Sequence, residues 1–394
     1  MIASIPINFF TGNRLFEISA IGKKRAAFVT VFISALIYLT GCAAIGPRHV
    51  PQDRFKYNEA LAESTRHQML LNLVRIRYLE EPVFLSVSSI LTQYVYNVGA
   101  SAGANLLLED VTDNTSSVSA GANLGYEERP TITYIPIEGQ EFSQRMLSSI
   151  PSETIFAAAQ QGWSVDVLMR IGISRIGAVE NMGFEAVPAP GVIDLSEQLK
   201  REVAKLKKFQ RVIQLLIVLA DREAFEVRIV EEKGAKTAFL LFAKNVPEDM
   251  QSQVIEFKQV LGLSSKINMF RITDRVTDLK ADEISIQTRS LSAMMNFLAK
   301  GVQVPPEHLA DGRAIDFRIP TAERGGKGLI PFRMISSETR PKDSFAAVRY
   351  LGLWFYIDNR DIESKRSLGL IIALFRVLAP SGGGAAPILT LPTG

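Results

Sequence analysis

The chain has few of the residues from which catalytic and metal sites are most often built. Its 394 residues include one cysteine and three histidines. One cysteine excludes an internal disulfide and a cysteine-rich zinc site. The histidines, His49, His67 and His308, do not have the spacing of metal ligands. We therefore predict no enzyme activity, no catalytic residue and no metal site.

Catalytic motifs are also scarce. The glycine-rich stretch Arg324-Gly-Gly-Lys-Gly328 lacks the spacing and the Lys-Ser/Thr pair of a phosphate-binding loop, which favours a flexible loop. The best polar cluster is Asp358-Asn-Arg-Asp361. It could bind an ion or a glycan, as an enzyme acting on carbohydrate or peptidoglycan would require, but Asp and Asn here are more typical of turns and helix caps.

Charge of one sign is not in excess. The chain has 44 basic and 41 acidic residues, a formal net charge of +3. Residues 1–41 contain Arg14, Lys23, Lys24 and Arg25 against Glu17, so residues 42–394 carry equal numbers of both signs. A balanced chain offers no electrostatic footprint for nucleic acid, and we predict no nucleic-acid partner.

The only cysteine closes an N-terminal pattern of basic, then apolar, then small residues. Lys23-Lys-Arg25 precedes the apolar run from Ala26 to Thr40, which ends in Leu39-Thr40-Gly41-Cys42. This order is that of a secretory signal peptide. The run of about 15 residues is short for a membrane-spanning helix, which needs roughly 20. An anchor helix with an incidental cysteine is the alternative.

Residues 23–42 resemble a bacterial lipoprotein precursor, with Leu39, Thr40 and Gly41 as its lipobox. The resemblance implies a thioether-linked diacylglycerol on Cys42, cleavage before it, and an N-acyl chain on the new amino group. It implies no other cofactor. Stable membrane attachment requires two anchoring signals, and the several acyl chains on Cys42 provide more than two. Ala43, in place of Asp, implies sorting to the outer membrane, with the protein on the periplasmic face and membrane lipid as a partner.

A second resemblance lies just beyond the signal. Arg-Phe-x-Tyr-Asn at 54–58 and Gln-Met-Leu-Leu-Asn at 68–72 are similar to an uncharacterised family of envelope lipoproteins, which implies no particular activity.

Composition and periodicity divide the chain into successive segments. They predict an α+β fold, mainly antiparallel sheet with packed helices, plus one long Gly/Ala/Ser-rich β-hairpin. The predicted segments are a signal peptide (1–41), a lipid-anchored tether (42–56), a helix and hairpin domain (57–186), an α+β domain (192–300), a region of loop, Trp-containing strands and C-terminal helix (301–380), and a Gly-rich tail with a possible strand (381–394).

Within these segments the first helix is predicted from Tyr57 to Leu79, and residues 140–180 are predicted to be helical with breaks at Pro151 and Gly162. A helix with a capping box begins at Asp194. A hairpin is predicted to turn at Lys233-Gly234, a helix to run from Pro247 to Gly262, and either a strand pair or a bent strand to centre on Gly352.

The long hairpin is predicted from a repeated hexapeptide. Ser101-Ala-Gly-Ala-Asn-Leu106 recurs as Ser119-Ala-Gly-Ala-Asn-Leu124, on either side of the polar turn 109–114. In a strand, alternate residues lie on opposite faces. The odd-numbered residues of the two arms are then small and polar, whereas the even-numbered residues are apolar. The even-numbered residues form the candidate membrane or partner surface: Tyr94, Tyr96, Val98, Ala100, Ala102, Ala104, Leu106, Val118, Ala120, Ala122, Leu124 and Tyr126.

Two interpretations of this hairpin remain open. As a packed or partner-bound hairpin, it predicts a non-enzymatic assembly or scaffold lipoprotein that interacts with envelope proteins or with itself. As a membrane element, arms of about 11 residues span the ~25 Å apolar band of an outer membrane. Residues 94–126 of several subunits would then form a shared transmembrane β-barrel. That export channel is similar in architecture to secretion-channel lipoproteins such as the curli exporter.

Overall fold

The computed structural model describes residues 45–105, 117–181, 195–232, 234–315 and 330–378. The chain divides into two compact units, Met1–Glu63 and Ser64–Gly394. The boundary falls inside the first helix, α1 (Ile45–Arg77). None of the helices in the described ranges is long and apolar enough to cross a membrane.

The first helix begins at Ile45, ahead of its predicted start at Tyr57, so the described part of the predicted tether, residues 45–56, is helical. Pro47 lies in its first turn, where a backbone N–H has no partner within the helix. Pro51 removes one hydrogen bond inside the helix, and the helix continues past it. The helix ends at Arg77, just before Leu79 with its positive φ of 64°.

The α+β fold is confirmed. Its main sheet has six strands in the order β4-β3-β8-β7-β6-β5. All neighbouring strands are antiparallel except β7 and β8, which are parallel. The strands are β3 (Ile173–Ile176), β4 (Val179–Glu180), β5 (Phe225–Glu232), β6 (Ala235–Phe242), β7 (Met269–Thr273) and β8 (Glu283–Thr288).

This sheet draws β3 and β4 from the predicted segment 57–186 and its other strands from the segment 192–300, so the two segments share one sheet. Residues 173–180 are therefore strands, not the predicted end of a helical region. Ile173 and Ile176 are buried at this position, because β3 pairs with β8 near the middle of the sheet.

A second sheet has three antiparallel strands in the order β10-β11-β9. The strands are β9 (Ile335–Ser337), β10 (Ser344–Tyr350) and β11 (Leu353–Asp358). Of the two predicted alternatives about Gly352, the strand pair is confirmed, and the φ of 83° at Gly352 is one that glycine adopts at no steric cost.

Helices flank both sheets and close one continuous apolar core. They are α2 (Gly139–Phe142), which runs into a π-helical turn (Ser143–Leu147), α3 (Ser152–Gln160), α4 (Val165–Gly172), α5 (Leu195–Asp221), a 3₁₀ turn (Glu248–Met250) leading into α6 (Gln251–Leu261), α7 (Leu291–Ala299), α8 (Pro306–Ala310) and α9 (Ile362–Val377). The predicted end of α6 at Gly262 is confirmed by its left-handed φ of 72°. The predicted cap at Asp194 lies outside the described residues.

Candidate functional site

The long β-hairpin is the candidate functional site. It consists of β1 (Leu85–Asn105) and β2 (Ser117–Pro136), paired antiparallel along almost their whole length. At about 3.3 Å per residue, each strand is roughly 65 Å long.

The register brings the two hexapeptide repeats opposite each other, as predicted. Ala100 pairs with Ala122, and Ser101 pairs with Gly121. Directly paired residues of an antiparallel ladder share a face. The apolar positions therefore coincide on one face of the hairpin and the small polar positions on the other, from residue 97 to 105 and from 117 to 125.

Two side-chain amides of α1 fix the start of β1. The Asn72 amide donates to the Val83 carbonyl at 2.8 Å and accepts from the Val83 N–H at 3.0 Å. Gln68 makes the same pair of bonds to Leu85, at 3.1 and 2.6 Å. Residues four apart lie on one face of a helix, so the two amides act together in place of a neighbouring strand.

At the base of the hairpin, just before Leu85 and just after Pro136, buried apolar side chains join the two strands to the core. The Ile137 N–H donates to the Phe84 carbonyl at 3.0 Å, and both side chains are buried. The Phe84 ring stacks on Phe375 of α9 with 4.9 Å between ring centroids. We call these residues, with Gln68 and Asn72, the hairpin root.

Immediately beyond the root, the hairpin becomes exposed. All the residues from 129 to 136 are exposed. Leu85, Ile132 and Tyr134 retain 43%, 40% and 55% of their accessible surface. These large apolar side chains belong to the face that continues into the apolar positions of the distal arms.

A β-bulge keeps this apolar face continuous. The register shifts between Val87 and Ser89, so that Val87 pairs with Tyr134 whereas Ile90 pairs with Ile132. Ser88 is thus the extra residue, and its hydroxyl donates to the Thr133 carbonyl at 3.4 Å. Odd-numbered Leu85 and Val87 therefore share a face with the even-numbered apolar positions further along β1. We call this face the apolar stripe.

Beyond Leu85, which is bonded to Gln68, neither long edge of the hairpin pairs with another strand of the described part of the chain, because β1 and β2 form a two-stranded sheet of their own. Their outward N–H and C=O groups are available to another strand. Since an isolated two-stranded hairpin is marginally stable in water, additional contacts are expected along its length.

A second polar cluster fixes the end of α1 beside the root. The Tyr78 hydroxyl and His308 Nδ1 are hydrogen-bonded at 2.6 Å, both side chains being buried. Burial raises the pKa of Tyr78, so that its hydroxyl keeps its proton. Arg77 donates to the carbonyls of Val302 and Ile315, at 3.2 and 2.6 Å. Tyr350 of β10 donates to Glu80, and burial followed by this bond raises the Tyr350 pKa.

The cluster Asp358-Asn-Arg-Asp361 forms a turn and the N-terminal cap of helix α9. The Asp361 carboxylate accepts from the Ser364 N–H at 3.0 Å at the start of α9. Asp358 accepts from the Arg360 N–H at 2.8 Å, and this bond is the main cause of its lowered pKa. The two carboxylates thus bind backbone groups, in agreement with the capping interpretation.

Several predicted residues lie outside the described part of the chain. They are Cys42, the lipobox residues Leu39, Thr40 and Gly41, and hairpin position Leu106. The remaining hairpin positions are brought together in the paired strands. Among the described residues, no group of three or more His, Cys, Asp or Glu side chains is placed to hold a metal ion.

Sequence reasoning missed the roles of Gln68, Asn72 and Ser88. The first two belong to the Gln-Met-Leu-Leu-Asn motif, and their i,i+4 spacing before a strand was the available signal. Comparisons with protein-family models, with curated proteins and with solved structures found no match to this chain.

Proposed function

We propose that this chain is a lipid-anchored outer-membrane protein that faces the periplasm and has a non-enzymatic assembly or scaffold role in the cell envelope. Its β-hairpin is the interaction element. The observation that supports this most directly is the contrast between a buried, hydrogen-bonded hairpin root and an exposed apolar stripe beyond it.

The chemistry of the hairpin indicates what it contacts. Exposed apolar surface on this scale is typical of protein–protein or membrane interaction sites. Two open strand edges supply backbone hydrogen bonds to a strand of another chain. The partner is therefore an envelope protein with a free strand edge, or a second copy of this chain.

The lipid anchor rests on the sequence pattern that ends at Cys42. We expect radiolabelled palmitate to be incorporated into the wild-type protein and not into the Cys42→Ser variant. The variant should also remain unprocessed and lose its outer-membrane localisation. Equal labelling of both proteins would refute the anchor and leave the assembly role of the hairpin untouched.

The assembly role is tested by removing the distal hairpin. Full-length protein extracted in detergent is compared, by size-exclusion chromatography with light scattering, with a variant in which a short Gly-Ser turn replaces residues 97–125. The hairpin root and the core are retained in that variant. A stable complex in the wild type that is lost in the variant supports the proposal. The same species in both samples would contradict an assembly role of the distal hairpin.

An export channel is the second candidate function, and the hairpin register favours it. Residues 97–105 pair with 117–125 without a charged residue in either arm. Nine residues tilted by about 40° rise roughly 23 Å, close to the ~25 Å apolar band of an outer membrane. Subunits arranged in a ring would pair these arms into a shared barrel that leaves no open edge.

Two substitutions at adjacent positions separate the channel from the scaffold. Ala102 belongs to the apolar parity and Gly103 to the polar parity. In a barrel, Ala102→Asp places a charge in lipid and should abolish conductance across planar bilayers, whereas Gly103→Asp faces the lumen and should alter ion selectivity. Absence of conductance by the wild-type oligomer would exclude the channel and leave the scaffold.

A further inference from the structure

A cavity of about 440 Å³ lies between the α3–α4 turn and helix α9. Its volume is within the range of small-molecule sites, roughly 300–1,000 Å³. The floor is apolar and buried, formed by Val167, Leu168 and Leu370. The rim is polar and carries Gln161, Trp163, Ser164 and Arg366.

The turn that carries Trp163 is held rigidly. The Trp163 N–H donates to the Ala158 carbonyl at 3.2 Å and the Gly162 N–H to the Ala159 carbonyl at 3.1 Å. With a φ of 93° at Gly162, these bonds form a Schellman motif at the end of α3. Trp163 therefore has a fixed backbone, as a preformed site requires.

The opposite wall, helix α9, is held to α4 by a partly buried ion-pair network. Arg170 of α4 is bonded to Glu363 of α9 at 2.6 Å and to Asp166 at 3.3 Å. Arg366 lies one turn further along α9 from Glu363. Asp166 and Glu363 are thus paired with Arg170 and not with Arg366.

The rim side chains are available to a ligand. Among the described residues, the side chains of Gln161, Ser164 and Arg366 have no hydrogen-bond or ion-pair partner, although Ser164 is the residue before α4. Trp163 retains 36% of its accessible surface, and no described cation stacks on its indole. By contrast, Arg340 lies 5.4 Å from the Trp354 ring.

We propose that this cavity binds a saccharide that carries a carboxylate, with the sugar ring against Trp163 and the carboxylate paired with Arg366. An indole offers a large flat apolar surface, suited to the C–H face of a sugar ring. A guanidinium binds a carboxylate through two parallel charge-assisted hydrogen bonds. Gln161 and Ser164 supply donors and acceptors for sugar hydroxyl or amide groups. The proposal depends neither on the hairpin nor on the lipid anchor.

The chain offers a direct optical probe of this cavity. It has two tryptophans, so Trp354→Phe leaves Trp163 as the single indole. Full-length protein with this substitution is titrated with N-acetylmuramic acid, with neutral N-acetylglucosamine and with lactate, a carboxylate without a sugar. We expect saturable fluorescence quenching by N-acetylmuramic acid, and at least tenfold weaker binding of the other two.

Substitutions of two arginines on α9 complete the test. Arg366→Gln should lower the affinity for N-acetylmuramic acid at least tenfold, to the level of the neutral sugar, and Arg366→Lys should restore part of it. Arg376→Gln is the matched control, because Arg376 is exposed on the same helix and does not line the cavity. Equal binding of acid and neutral sugar, equal binding of lactate, no saturable quenching, or an unchanged affinity in Arg366→Gln would each overturn the proposal.

Discussion

Asn72→Ala tests whether the hairpin root holds β1 as the geometry indicates. The amide of Asn72 is fully buried and makes two hydrogen bonds to Val83, at 2.8 and 3.0 Å. A net hydrogen bond in a protein contributes about 0.5–1.5 kcal/mol to the free energy of unfolding. Loss of both bonds should therefore cost about 2 kcal/mol. With a urea m-value of about 3 kcal/mol/M, the unfolding midpoint falls by roughly 0.7 M.

Gln68→Ala is the matched control, because it removes the same pair of bonds from Leu85. Gln68 is half-buried and its bonds to Leu85 are exposed to solvent, so water replaces the amide, and the expected loss is about 0.5 kcal/mol. Hydrogen exchange at the Val83 amide should accelerate in Asn72→Ala. Equal midpoints for the two variants, together with unchanged exchange at Val83, would refute the reasoning.

Asn72→Asp separates the two bonds. The carboxylate still accepts from the Val83 N–H, but it can no longer donate to the Val83 carbonyl and it places a charge in a buried site. At neutral pH it should destabilise the protein more than Asn72→Ala. Arg75 lies beside this position, with its Nη1 3.5 Å from the Asn72 Oδ1, so it offsets part of the cost of the buried charge. The difference between the two variants is read from their urea midpoints.

Three further variants act near the ends of helices α9 and α1. Asp361→Ala removes the bond to the Ser364 N–H and should cost about 1 kcal/mol in urea unfolding, whereas Asp358→Ala, in the adjacent turn, should cost less. Burial raises the pKa of Tyr78 above its ordinary value of about 10. The folded state therefore favours the protonated hydroxyl, and this contribution to stability is complete below about pH 10 and is lost as the pH rises through the higher folded pKa. Tyr78→Phe should therefore be less stable than wild type at neutral pH and should show a shallower alkaline decline of the urea midpoint, and an identical decline in both proteins would contradict this.

Features governed by local chemistry could be predicted from the sequence. The hairpin followed from period-two alternation and from two copies of one hexapeptide. Glycine marked the turns at Gly234 and Gly352 and the end of α6 at Gly262, because it adopts a positive φ readily. The φ angles at these positions are 82°, 83° and 72°. In each case the determining residues lie within a few positions of one another.

Features that depend on long-range contacts could not be predicted in this way. In the sequence, Gln68 and Asn72 look like ordinary polar residues of a helix. Their role depends on their contacts with Leu85 and Val83, which only the fold brings close to them. Ser88 is one serine among several in β1, and its bulge is defined only by the pairing with Thr133. The cavity rim joins Trp163 to Arg366, which are some 200 positions apart in the sequence.

The bulge at Ser88 leads to a sharper test of the assembly role than truncation. Because it keeps Leu85 and Val87 in phase with the distal positions, the apolar stripe runs from the root outward, and Ile132 lies on it. The adjacent Thr133 lies on the opposite face, paired with Ser89. Both residues are exposed, so neither should disturb the fold when replaced by lysine.

If the stripe is the contact surface, Ile132→Lys places a charge in an apolar interface and should dissociate the complex in light scattering. Thr133→Lys should leave the complex intact, since its charge stays in solvent. Dissociation by both variants would indicate contact through both faces or through the strand edges alone. Retention in Ile132→Lys would show that the stripe does not form the interface, whatever the oligomeric state of the wild type.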